Sequence, residues 1–287
     1  MRSLAALLLA IPALAADTPP PLVIIGIDGF SAEAVRKAPV PNIRRMMAAG
    51  AWTLNARGVM PTVSSPNWAS IIMGAGPEQH GVTSNEWQPF NAEIKPVCTS
   101  PLAPEQFPSI FGQFRQQRPN AKIAVIHDWK DFARLLERKA ANELRHVKGS
   151  PEATDAALEY WRASKPDLLF LHLDDVDHAG HNHEWHSEKY YAEVAVIDTL
   201  VGKVLDAIDI TKTNVMLVAD HGGLGTKHGG LTMVELEVPW IGAGPSVAQL
   251  GELKKPVASL DSAAVAAALL RIQPNPCWTA RNVLLAR

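Results

Sequence analysis

Four short apolar runs constrain the fold of this chain more than any other feature of its sequence. They are Leu22–Ile27, Ile123–Ile126, Leu168–Leu173 and Val215–Ala219, each rich in Val, Ile or Leu. A strand with one wet face would alternate polar and apolar residues, so continuous runs read as strands covered on both faces. Helical spacing of apolar residues fills the gaps, over Asn42–Ala49, Ser109–Gln117, Ala153–Ala163, Glu188–Ile208 and Ser262–Arg271. Strands alternating with helices imply βαβ units. The expected fold is a single α/β domain, with a mostly parallel central sheet and helices on both faces. The 287 residues are 47% hydrophobic and show no repeat or linker, so one large domain accommodates them.

Three of the four runs end directly in acidic residues: Asp28; then Asp174, Asp175 and Asp177; then Asp220 with His221. In open α/β sheets, ligands bind beyond the carboxyl ends of the strands. One Asp after a strand is ordinarily a cap or turn residue. Three such clusters, two of them with histidines, argue for a site instead. Asp177-His178-Ala179-Gly180-His181 sets a carboxylate and an imidazole four residues apart, able to close on one cation from a tight loop. Asp220-His221-Gly222-Gly223 and His228-Gly229 add further donors. Asp and His together suit zinc, although manganese or iron would use the same side chains. A calcium loop is excluded, because Ala179 stands where a ligand is needed and His186 replaces the closing Glu.

The remaining piece is Pro61-Thr62-Val63-Ser64-Ser65-Pro66-Asn67-Trp68. Ser65 reads as an N-cap with Pro66 in the first helical turn, which sets Ser64 at a helix mouth that favours an anion. Taken alone, the segment is better explained by a capping serine. The chain has no Gly-x-Ser-x-Gly elbow, no P-loop and no Gly-x-Gly-x-x-Gly. Between Ser64 and Asn85 there is no Arg that could clamp a dianion.

The first 16 residues read as a secretory signal peptide: Arg2, an apolar stretch from Leu4 to Leu9, and Ala13-Leu14-Ala15 before the cut. The expected catalytic domain then spans residues 17–287, exported to the periplasm or medium, with no membrane span. Lys+Arg 27 against Asp+Glu 29 leaves a net charge of -2, which offers no footprint for a nucleic-acid polymer or a membrane surface. A small-molecule partner is expected instead. Cys98 and Cys277 could pair in an oxidising compartment, or remain two buried thiols. Both outcomes stay open on sequence alone.

In order and spacing these segments resemble the alkaline phosphatase superfamily, and within it the nucleotide pyrophosphatase/phosphodiesterase branch. The shared pattern runs through Ile25-Gly26-Ile27-Asp28-Gly29, Pro61-Thr62-x-Ser64-x-Pro66-Asn67 and Gly76-Pro77-x-x-His80-Gly81-Val82-x-x-Asn85. It continues with Asp177-x-x-Gly180-His181, Asp220-His221-Gly222, His228-Gly229, Val238-Pro239-Trp240-Ile241 and Pro276-x-Trp278. The resemblance implies a two-metal phosphoric ester hydrolase. Asp177, His181 and His228 would hold one divalent ion, zinc by default, and Asp28, Asp220 and His221 the other. Ser64 would touch the second ion as nucleophile, and Asn85 would donate to a phosphate oxygen. His80 matches a structural position.

The chain departs from that pattern in three places. Ser64 replaces the Thr of many relatives, and Ser65 stands where nucleotide-cleaving relatives have a base-stacking aromatic residue. Only six residues separate His221 from His228, where many relatives carry a long insertion. Trp87 is either a substitute stacking face or a core residue. Competing readings are a phosphomonoesterase or phosphonate hydrolase on the same fold, and an exported metal-binding protein without turnover. A sulfatase is disfavoured, since Asn67 follows Pro66 where a basic residue is required.

Overall fold

A computed structural model of the chain describes residues 18–284, so the signal-peptide reading of residues 1–16 lies outside the described residues. The first half holds β1 (Leu22–Ile27), α1 (Ala32–Lys37), α2 (Pro41–Ala48), β2 (Gly50–Arg57), α3 (Ser64–Met73), α4 (Pro77–His80), α5 (Ile110–Gln117), β3 (Ile123–His127) and β4 (Glu143–His146). Then come α6 (Ser150–Ser164), β5 (Leu168–Leu173), α7 (Asp175–His183), α8 (Glu188–Ile208) and β6 (Asn214–Ala219). The chain closes with α9 (Met233–Leu236), β7 (Glu237–Ala243), β8 (Gly251–Glu252) and α10 (Asp261–Leu269).

The described strands form one sheet in the order β4-β3-β5-β1-β6-β7-β2-β8. All pairings are parallel except those of β7, which runs against both β6 and β2. The four apolar runs became β1, β3, β5 and β6. Every residue of each is buried, as expected of strands with helices on both faces. The strands that the apolar pattern did not mark are edge or mixed ones. β4 is four half-polar residues, β8 is two residues long, and β2 alternates toward its exposed end. β7 contains Pro239, which cannot donate to a ladder. The β2–β7 register shifts between Thr53 and Ala56, opposite that proline, where a bulge relieves the missing donor.

Register decides where the acidic residues meet. Ile27 of β1 pairs with Leu173 of β5 on one side and Ala219 of β6 on the other. The next residues, Asp28, Asp174 and Asp220, therefore leave three adjacent strands at one level. Behind them α3 is buried on all sides, with Trp68 fully enclosed among Phe132, Phe170 and His172. Cys98 and Cys277 form a disulfide with Cα atoms 6.4 Å apart, tying the C-terminal segment to the loop after α4. Among the described residues, no helix is long and apolar enough to cross a membrane.

Candidate active site

The helix that carries the nucleophile candidate starts two residues earlier than its sequence suggests. Val63, with extended backbone, is the N-cap, and Ser64 rather than Pro66 opens α3. Val63 has no side chain able to cap the helix. The Ser65 amide is instead taken by Asn85 Oδ1 and the Asn67 amide by the Val63 carbonyl, and Pro66 has none. Of the first four positions only the Ser64 amide is left for a ligand. The Asp177–His181 segment also differs from its expected form. It is the helix α7, not a tight loop, and the four-residue spacing stacks both side chains on one helical face. Gly180 is needed there because a Cβ would lie 2.4 Å from the Trp185 ring. Gly29, at φ 65°, lets the β1 loop approach the backbone of Asp177 where a Cβ would sit 2.7 Å from its Cα.

Two donor groups result, and they contain the residues singled out from sequence: Asp177, His181 and His228 in one, Asp28, Asp220 and His221 in the other. Within each, the ligand atoms lie within 4.8 Å of one another. Ser64 Oγ stands 3.2 Å from His221 Nε2 and 3.5 Å from Asp28 Oδ1, at the second group. The three histidines share one arrangement. Nδ1 of His181, His221 and His228 lies 2.9, 3.0 and 2.9 Å from the carbonyls of Thr226, Gly222 and Thr62 respectively. A carbonyl only accepts, so in the neutral ring each Nδ1 carries the proton and each Nε2 keeps its lone pair. Orientation of this kind prepares imidazoles for a cation.

The carboxylates point the same way. Asp28 Oδ2 accepts from Trp68 Nε1 at 2.8 Å and faces His172 Nε2 at 3.2 Å, leaving Oδ1 toward the site. Asp220 Oδ1 accepts from the Gly29 amide at 3.1 Å, while its Oδ2 is buried without a hydrogen-bond partner. Asp177 Oδ1 is likewise buried without one. No Lys or Arg among the described residues pairs with Asp28, Asp177 or Asp220. Orphaned carboxylate oxygens facing bare imidazole nitrogens leave a charge deficit that divalent ions fit, so the donor set suits the expected metals.

Protonation follows from the crowding. Burial works to raise the Asp28 carboxyl, yet the His172 hydrogen bond, the His221 and His172 charges and the Trp68 hydrogen bond hold it below the usual carboxylate range. Burial, then the charges of Asp28 and Asp177, push Asp220 well above it. Burial and the neighbouring His228 bring His221 down to about 4. The hydrogen bond to Asp177 raises His181. Asp174 rises to about 9 through burial and the Asp28 charge.

Asn85 lies beside the start of α3, its Oδ1 accepting from the Ser65 amide at 2.8 Å. Its Nδ2 is thereby left free to donate. Trp87 is buried, only 6% exposed, so it is a core residue rather than a stacking face. His80 is structural: Nδ1 accepts from the Val82 amide at 3.0 Å and Nε2 faces Ser70 Oγ at 3.0 Å.

Three neighbours escaped the sequence reading. His172 and Trp68 hold Asp28, and His172, with Asp28 and Asp174, makes a third, overlapping donor group. A lone His within the run Leu168–Leu173 was the available signal. The third is Arg134, whose Nη2 donates to Ser65 Oγ at 3.0 Å and to the carbonyl of Asn85. The segment from Ser64 to Asn85 lacks an Arg, but the fold brings one to it from the loop after β3. Nothing local to Arg134 signals that approach.

With this geometry in hand, similarity to known proteins decides the family. The sequence profile of the type I phosphodiesterase/nucleotide pyrophosphatase family matches residues 22–239. The chain belongs to the type I phosphodiesterase/nucleotide pyrophosphatase family. Human ectonucleotide pyrophosphatase/phosphodiesterase family member 1 is 24% identical over 221 residues, 71% of this chain and 23% of that protein. Venom phosphodiesterase 2 of Crotalus adamanteus is 24% identical over 217 residues, 70% of this chain and 26% of that protein. This chain thus spans about a quarter of the length of those phosphodiesterases. An inactive form of murine ectonucleotide pyrophosphatase/phosphodiesterase 5, in complex with AMP, shares the fold with a TM-score of 0.73 at 14% identity. That match covers 90% of this chain and 96% of the murine one.

Proposed function

We propose that this member of the phosphodiesterase family is an exported two-metal phosphoric ester hydrolase that attacks phosphorus with Ser64. The observation that carries the proposal is the position of Ser64 Oγ, within 3.5 Å of both Asp28 Oδ1 and His221 Nε2 at the open end of α3. Asp177, His181 and His228 would hold one ion, and Asp28, Asp220 and His221 the other, with zinc suiting an Asp/His donor set. When bound, two such ions would lower the pKa of the Ser64 hydroxyl and offset charge on the attacking and leaving oxygens.

The protein's own groups supply the rest. The Ser64 amide and the positive end of the α3 dipole favour an anion at Ser64. Asn85 Nδ2 is free to donate to an oxygen on phosphorus, its orientation fixed by the Ser65 amide. Attack forms the Ser64 Oγ–phosphorus bond and breaks the bond to the leaving alcohol, which departs with the proton that Ser64 gives up. Water then releases the phosphoryl group from Ser64. Export rests on the N-terminal reading, together with ectoenzyme and venom relatives. A small phosphate ester is the expected partner.

Arg134 favours a second reading, phosphomonoesterase, because its charge beside Asn85 would help to balance a dianion. The test is turnover of bis(4-nitrophenyl) phosphate against 4-nitrophenyl phosphate, alongside elemental analysis of the purified protein. Diester turnover with stoichiometric metal supports the proposal. Faster monoester turnover moves the assignment to the second reading. Metal without turnover of either ester leaves a metal-binding protein.

A further inference from the structure

A cavity of about 490 Å³ opens beyond the guanidinium of Arg134, within the size range of small-molecule sites. Arg134 lines this cavity and also donates to Ser65 Oγ and to the Asn85 carbonyl. Gln88, three residues after Asn85, lines it as well. Arg134 therefore stands between the cavity and Ser65, the residue next to the candidate nucleophile. Its chemistry is mixed in a particular way. Phe90, Leu102 and Leu136 give an apolar lining, and Phe90 is 75% exposed, so one aromatic surface stands open to a ligand. Arg134, Arg138 and Lys139 bring three cations against the single carboxylate of Glu105.

That charge is not background. The whole chain carries a net charge of -2, and among the described residues no carboxylate lies within ion-pair distance of Arg138 or Lys139. Arg134 itself pairs with Asp131, at 3.6 Å and half exposed, with the charge of Glu86 also acting on it, and its guanidinium lies 5.7 Å from the Trp129 ring. Its Nη2 is committed to Ser65 and Asn85, so it acts on a ligand here by charge and by holding Asn85 in place.

We infer that this cavity receives one organic group of the phosphoester and selects a group with an apolar or aromatic body that ends in an anion, a carboxylate or a phosphate. The apolar lining takes the body, and Arg138 and Lys139 at the rim take the terminus. The inference deepens the phosphodiesterase reading and rests on it for the reaction, while binding to the cavity can be measured separately.

The experiment uses the metal-loaded protein and two diesters that differ at one position. These are 4-nitrophenyl 4-carboxyphenyl phosphate and its neutral 4-carbamoylphenyl counterpart, with 4-nitrophenol as the leaving group in both. The expected kcat/KM ratio favours the carboxylate by about tenfold at low salt and shrinks as ionic strength rises. In the Arg138→Gln, Lys139→Gln double variant the ratio falls to about twofold. A wild-type ratio near one, or a ratio unchanged in the double variant, overturns the inference. If neither diester is cleaved, the phosphodiesterase reading has failed and the cavity is judged by calorimetry instead. The probes are then the methylphosphonate monoesters of 4-hydroxybenzoate and 4-hydroxybenzamide. Tighter binding of the carboxylate upholds the cavity, and equal affinities overturn it.

Discussion

Lowering the pH should weaken this protein through His80, and the size of the effect can be worked from the structure. His80 ends α4 behind α3, 1% exposed. Its Nδ1 accepts from the Val82 amide, so the neutral ring carries its proton on Nε2, facing Ser70 Oγ. A second proton would put an N–H on Nδ1 against the Val82 N–H. Burial lowers the pKa of this ring from 6.5 to about 3, with the Pro66 carbonyl offsetting part of the effect. A histidine whose folded pKa lies below its unfolded one contributes fully above the unfolded value. It loses that contribution as pH falls toward the folded one. Between about pH 6.5 and pH 5 the unfolded chain takes up a proton that the native chain refuses. At about 1.4 kcal/mol per unit, this costs the folded state about 2 kcal/mol. The perturbation is His80→Gln, which keeps an acceptor for Val82 but does not titrate. At neutral pH the variant should be less stable by about 1–3 kcal/mol, from imperfect hydrogen bonds. Urea denaturation of both proteins at pH 7 and pH 5 should show the gap narrowing by about 2 kcal/mol. Metal release at acid pH affects both proteins alike and cancels in the difference. A gap independent of pH would refute the buried, neutral assignment of His80.

Elemental analysis should find about two divalent ions per chain, and His181→Ala or His228→Ala should leave about one while far-UV circular dichroism stays native. Ser64→Ala should retain metal but lose turnover by at least about three orders of magnitude, whereas Ser64→Thr should keep measurable activity. Near wild-type rates in the Ala variant would exclude a covalent role for Ser64. Trp68→Phe removes the 2.8 Å hydrogen bond that fixes Asp28 Oδ2, and metal affinity by competition titration should fall by about 10–100-fold. Reducing the disulfide frees a constraint between cysteines 179 residues apart, with an expected loss of about 2–5 kcal/mol. An unchanged denaturation midpoint in Cys98→Ser, Cys277→Ser would show that this link adds nothing.

The sequence by itself determined whatever depends on neighbours along the chain. β1 and β5 begin and end where their apolar runs do, and α8 spans the whole Glu188–Ile208 pattern, because burial on a regular element imposes its period on the residues. The acidic residues after β1, β5 and β6 were visible for the same reason. The form of the Asp177–His181 segment was not, since a Gly within a polar stretch suits a loop until Trp185 packs against it. Only the tertiary structure decided that β1 lies between β5 and β6 in register, and this places Asp28, Asp174 and Asp220 together. Cys98 meets Cys277 across 179 positions, and Arg134 reaches Ser65 and Asn85 across 69 and 49. His172 and Trp68 take hold of one oxygen of Asp28 from a strand and a helix far apart in sequence. Such contacts leave no periodic trace, because each is a single side chain whose partner is set by strand order. The order of strands is fixed by the packing of the whole sheet, and no segment of the chain encodes it alone.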